Sequence, residues 1–146
     1  MATTNLNFQA SVNDWVRATE ARMTAVFRES AQRTISIAQS YVPVDTGFLR
    51  ASVRASIEAM PPIDPKAAPS SKGARYGYSG SDVTLAIAGA GIGDTIYAGW
   101  TAAYAAYVEY GTAHMAPRAF VGRAAQRWQS TVNEVAVEAR SRAGRA

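Results

Sequence analysis

The chain has 146 residues, 48% hydrophobic and 18% charged, with a formal net charge of +4. A chain of that length suits one domain with a core of its own, since about 150 residues bury roughly 68–70% of their unfolded surface. Cysteine is absent and His114 is the single histidine. Disulfides, thiolate nucleophiles, iron–sulfur clusters and Cys-ligated zinc are thereby excluded, and little is left for a histidine metal site or a Ser–His relay.

Met1 to Phe8 holds neither a positive charge nor an apolar run, so no secretory signal is expected there. The longest uncharged stretch, Thr95 to Val108, falls short of the 18 or more residues of a membrane span. The expectation is a soluble chain without a membrane partner, folding where redox chemistry is irrelevant. Of its basic residues only Lys66 and Lys72 are lysines, the rest arginines. Arg17, Arg22, Arg28 and Arg33 recur beside Glu20 and Glu29, and only Arg140, Arg142 and Arg145 cluster. A solvated helix face with a basic tail and a functional DNA contact both fit that distribution.

The first element predicted is a long helix over residues 8–42. Phe8, Val12, Trp15, Val16, Thr19, Met23, Val26, Phe27, Ser30, Thr34, Ile37, Ala38 and Tyr41 follow steps of three and four, one stripe on a 3.6-residue period. Ser11 is placed as its N-cap, with Asp14 in the first turn, and Pro43 ends it. From Ser11 to Tyr41 such a helix spans about 45 Å at 1.5 Å per residue. A compact body of this size is only about 38 Å across. The helix outruns the body, so its spare apolar surface asks for a kink or a neighbouring subunit.

After Pro43-Val-Asp45-Thr46-Gly47 the period drops to two. Leu49, Ala51, Val53, Ala55 and Ile57 alternate with Arg50, Ser52, Arg54, Ser56 and Glu58, a strand over 48–59. Residues 60–82 hold four of the six prolines and read as a long loop, functional or disordered. Val83, Leu85 and Ile87 alternate as a second strand, Gly89 to Asp94 turns, and Thr95 to Trp100 forms a third, giving a hairpin over 83–100. A short helix follows over 102–110, stopped by Gly111, and Pro117 opens a last helix over 117–142. The predicted class is α+β, with long N- and C-terminal helices packed on a small antiparallel sheet.

Three local patterns invite chemistry. Asp45-Thr46-Gly47 matches the aspartic-protease triplet, which here would require a homodimer sharing Asp45 carboxylates; a long helix and Pro43 precede it where that triplet follows a buried strand, so a helix-to-strand turn is the expected reading. Gly89, Gly91 and Gly93 fail the dinucleotide pattern, because Asp94 stands at its last glycine and no helix follows. His114 has no second ligand, so no metal or cofactor is expected. Tyr104, Tyr107, Glu109 and Tyr110 crowd one short helix, as either core or an interface, where tyrosine is enriched.

Together these blocks resemble the tail-completion or neck (head–tail joining) proteins of long-tailed bacteriophages. The first block is Pro43, Asp45, Thr46, Gly47, Leu49 and Ser52. The second is Tyr104, Ala105, Tyr107, Val108, Glu109, Tyr110, Gly111 and Thr112, and the third Pro117, Arg118, Phe120 and Ala124. Where that family commonly carries proline before the phenylalanine and near position 123, this chain has Ala119 and Arg123. The resemblance implies a non-enzymatic structural protein of the virion, made in the host cytoplasm and assembled as a six-fold homo-oligomeric ring at the head–tail junction. Its partners would be the tail terminator or tube and the head-side connector, with non-specific contact to DNA in the lumen. An adjacent neck component, terminator or head-closure stopper, is the alternative. Subunit contacts are expected at Trp15, Met23, Phe27, Tyr104, Tyr107, Glu109, Tyr110, Arg118 and Phe120. Structural turns are expected at Pro43, Asp45, Thr46, Gly47 and Gly111.

Overall fold

A computed structural model describes residues 2–70 and 73–144. Ser71 and Lys72 of the loop and Arg145 of the basic tail therefore lie outside the described residues. The fold is α+β: a long N-terminal helix and C-terminal helices around a two-stranded antiparallel sheet.

Helix α1 runs unbroken over Ala2–Tyr41. At 1.5 Å per residue that is about 60 Å, longer than predicted. Ser11 and Asp14 lie inside the helix instead of at its start, because no glycine or proline upstream interrupts it. The C-terminal part of α1 enters the body, where Ala31, Ile35 and Ala38, with Val42 just past its end, are buried on the face beside the stripe.

The region predicted as one strand over 48–59 divides. Gly47, at φ 83, starts a single helical turn, α2 (Phe48–Ala51), which seats Leu49 in the core. Ser52 closes the turn by donating its hydroxyl to the Leu49 carbonyl at 2.6 Å. Only Val53–Ser56 forms strand β1.

The predicted 83–100 hairpin is not formed. Ser81–Gly89 is helix α3. Val83, Leu85 and Ile87 suit a strand, but Val83 and Ile87 are also one helical turn apart. The fold buries that pair and leaves Leu85 75% exposed. Asp82, in the first turn of α3, accepts the Ala55 N–H at 2.9 Å and so blunts the open edge of β1. Strand β2 (Tyr97–Trp100) pairs with β1, in the register Val53↔Trp100 to Ser56↔Tyr97. The Pro-rich loop is tied down along that sheet: Asp64 donates its N–H to the Thr101 carbonyl and Ala103 to the Ala67 carbonyl, both at 2.9 Å.

Helix α4 covers Ala105–Tyr110, close to the predicted 102–110. The last helix, predicted over 117–142, opens later and is interrupted. α5 runs over Phe120–Gln126 and α6 over Trp128–Ala143, with a jog at Arg127. Pro117 to Ala119 instead runs beside α4, with Arg118 and Ala119 donating their N–H groups to the Val108 and Glu109 carbonyls.

Helices α3, α5 and α6 all pack on α1, which acts as the spine. Gln39, 4% exposed, fastens the layers together. Its amide oxygen accepts the Trp100 indole N–H at 2.7 Å, and its amide nitrogen donates to the Arg50 carbonyl at 2.8 Å. Trp100 in turn meets Phe120 edge-on at 5.1 Å, joining β2 to α5. On the surface, Arg33 of α1 binds Glu138 of α6 at 2.9 Å and Glu29 at 3.0 Å. Its hydrogen bond holds the Glu138 carboxyl below the ordinary range, and burial opposes this only in part.

Replacing Gln39 by Leu strands the buried Trp100 N–H and frees the part-buried Arg50 carbonyl, which water can reach; at about 1–3 kcal/mol for an unsatisfied buried group, urea unfolding should show a loss of about 1–3 kcal/mol. The Arg33–Glu138 pair should show in acid. A carboxyl with a depressed folded pKa contributes its stability above its unfolded value and loses it as pH falls through the folded one. Arg33→Gln should therefore flatten the fall in stability below about pH 4.5, the carboxyl's unshifted value, followed by thermal melts across pH.

Candidate functional site

The largest uncovered apolar feature lies on α1 itself. Phe8 is 72% exposed and Trp15 68%, with Val12, Val16 and Met23 also exposed. Phe27 and Val26 are half-buried, at the point where the rod enters the body. Scattered exposed apolar residues are ordinary, but five along one helical stripe are not. Trp15 and Met23 thus stand free, while Phe27 marks the boundary.

The Asp45-Thr46-Gly47 triplet serves as a clip. Val42 is buried and Pro43 stops α1, so the chain turns sharply at the surface. The Thr46 hydroxyl accepts the Phe48 N–H at 3.2 Å, and its carbonyl accepts the Tyr76 N–H at 2.9 Å. The Arg75 guanidinium donates to the Asp45 carbonyl. Any Cβ on Gly47 would run into the Tyr76 carbonyl, and its φ of 83 suits glycine alone. Phe48 then meets Tyr76 edge-on at 5.0 Å. Asp45 is exposed, and its visible contribution is through its backbone.

Helix α4 divides its tyrosines. Tyr104 is half-buried against Phe48, with ring centroids at 6.2 Å. Burial pushes its phenol up, and a Leu49 backbone hydrogen bond partly offsets this. Tyr107 and Tyr110 point outward, 60% and 79% exposed, while Ala105 and Val108 face the core. A cavity of about 490 Å³ separates the Pro43–Leu49 turn from Tyr104 and Val108. The first and second sequence blocks therefore face each other.

Glu109, expected at a subunit contact, is engaged within its own chain. Its two carboxylate oxygens accept the Val121 and Gly122 N–H groups at 3.0 and 2.9 Å. An acid placed there meets the unpaired donors and the positive dipole end of α5. Phe120, likewise expected at a contact, is 1% exposed and belongs to the core. Arg118 is exposed. Gly111 has φ 79, and a Cβ there would lie 2.8 Å from the Met115 carbonyl and from the Pro117 nitrogen. Thr112 and Met115 close a small exposed turn that carries His114.

Ala119 adopts φ 45, which a proline ring, fixed near −65°, cannot reach. A proline at this position would therefore not fit the backbone that leads into α5. Sequence reasoning missed Arg123, which lies 3.8 Å over the Tyr41 ring, and Arg127, which donates to the Tyr41 hydroxyl at 3.3 Å. It also missed a cleft of about 790 Å³ between the Pro-rich loop and the start of α3. Both depend on contacts between distant segments. Among the described residues no group of three His, Cys, Asp or Glu could hold a metal ion, and no helix is long and apolar enough to cross a membrane.

No family model matches the chain, and no curated protein or solved structure shows a match to it.

The Glu109 cap is testable by substitution. Glu109→Ala should cost about 1–2 kcal/mol in denaturant unfolding, the range for a lost N-terminal cap, and Glu109→Gln should restore part of it.

Proposed function

We propose that this chain is a non-enzymatic structural subunit of a tailed-phage neck. It completes the tail as a closed homo-oligomeric ring, six-fold by resemblance, between the tail tube and the head-side connector. The observation that carries the reading is the exposed stripe from Phe8 to Met23 on the protruding half of α1. A rod with an apolar face beyond its own body suits a protein completed by neighbours. A contact repeated head to tail closes into a ring when its rotation allows.

The three sequence blocks support the same reading, since they meet around α4 and its flanking turns. Tyr107 and Tyr110, with an apolar body and a polar tip, supply a second contact surface there. Glu109 and Phe120 serve it from behind, by fixing the start of α5. Terminator and stopper proteins occupy adjacent layers of the same structure, and a stripe of this kind serves any of them. Arginines lining a ring lumen would meet passing DNA through its phosphates, without sequence preference.

Light scattering over a concentration series, with negative-stain imaging, tests the reading. Closed rings of several copies are expected at high concentration. Trp15→Ala and Tyr107→Ala should each raise the concentration needed about tenfold, whereas Lys66→Gln in the Pro-rich loop should leave it unchanged. Rings that form normally with both substitutions would defeat the assignment.

A further inference from the structure

The stripe on α1 has a regular architecture. Phe8, Val12, Trp15, Thr19, Met23, Val26, Ser30, Thr34, Ile37 and Tyr41 are spaced by four, three and four residues, repeated three times. An eleven-residue repeat at about 3.67 residues per turn drifts little around a helix. The face shown at Phe8 is therefore nearly the face shown at Tyr41.

In the body that face is covered by α6, which runs antiparallel to α1: Tyr41 meets Arg127 and Arg33 meets Glu138. With equal rise on both helices, Ala143 at the end of α6 falls about level with Val26. Beyond that level the same face continues for about 23 Å, from Met23 to Phe8, with its large side chains exposed among the described residues.

We propose that the free protein is a two-fold dimer in which a second copy's α1, antiparallel, occupies the line of α6 where α6 stops. The dimer covers the stripe before assembly and must open for a ring to form. This inference stands apart from the neck reading, since it concerns the unassembled chain. Sterics set the direction. A parallel second α1 lying on the stripe would run onward into the space that α6 already fills, whereas an antiparallel one carries its body to the opposite end and brings only its first helical turn up to the end of α6.

The pattern then fits itself. With Trp15 of one copy opposite Val16 of the other, Val12 faces Thr19 and Phe8 faces Met23, so each bulky residue meets a smaller or more flexible one. Beside Met23 lies an apolar groove of about 420 Å³, walled by Val26, Phe27 and Ile92, where the second copy's Phe8 arrives. The rod's charges between Phe8 and Thr24 are Asp14, Arg17, Glu20 and Arg22. They sum to zero, so two copies do not repel and a strongly acidic or basic partner gains nothing. At their exposures the five side chains offer roughly 500 Å² per copy, with a whole aromatic burying about 150–250 Å². Two copies thus bury about 1,000 Å², the threshold for a specific interface.

Because the chain has no cysteine, single cysteines placed on the rod report direction. The full chain is oxidised at concentrations below ring formation and read on a non-reducing gel, with light scattering for mass. V16C alone, and V12C mixed with T19C, should cross-link at least tenfold more than V12C or T19C alone. Those last two, seven residues out of step in the antiparallel pair, sit about 10 Å apart, too far for a disulfide. Trp15→Glu should halve the mass while its helical circular dichroism stays unchanged, since Trp15 touches none of the core. Self-linking of V12C and T19C would show parallel packing and overturn the proposal. A monomer mass without cross-links would overturn it as well, leaving the stripe to the ring contact alone, while ring formation at high concentration would still stand as a separate result.

Discussion

Everything in this molecule follows from one uninterrupted helix whose apolar stripe is longer than the body able to cover it. From Ser30 to Val42 the stripe and its flank form the spine on which α3, α5 and α6 pack. From Phe8 to Met23 the same periodicity continues with its large side chains exposed among the described residues. A helix is rigid over this distance, and nothing in α1 lets it fold back. The exposed half is consequently held at a fixed direction from the body.

The body is held by few, well-placed polar contacts. Gln39 is the most consequential, because a buried amide with both ends engaged joins helix, turn and strand at one point. Glu109 works in the same manner at the other end, fixing the angle at which the chain enters α5. The Asp45-Thr46-Gly47 clip pins the Pro-rich loop through backbone groups. The residues most conspicuous in the sequence as chemistry thus act as fasteners. The outward-facing Trp15, Tyr107 and Tyr110 take no part in that fastening.

The candidate surface was legible in part. The mismatch between helix length and body size could be read from spacing alone, and it pointed to Trp15 and Met23. Tyr107 and Tyr110 were identified together with Tyr104 and Glu109, since spacing along a short helix does not say which members turn outward. Glu109 as a cap and Phe120 as core could not be separated from contact residues, because each finds its partner in another segment.

The sequence by itself determined the long helix, its end at Pro43, the α4 segment with its stop at Gly111, and the α+β class. Each rests on local rules: a 3.6-residue period, the missing N–H of proline and the freedom of glycine. Only the tertiary structure decided that Val83 to Ile87 is helical and that β2 pairs with β1. It also decided that the last helix begins at Phe120 and jogs at Arg127. Val83 and Ile87 satisfy both periods, so the choice fell to the surface they had to cover. Strand pairing and the entry into α5 were likewise settled by distant groups, namely Asp82 on the edge of β1 and Glu109 at the head of α5.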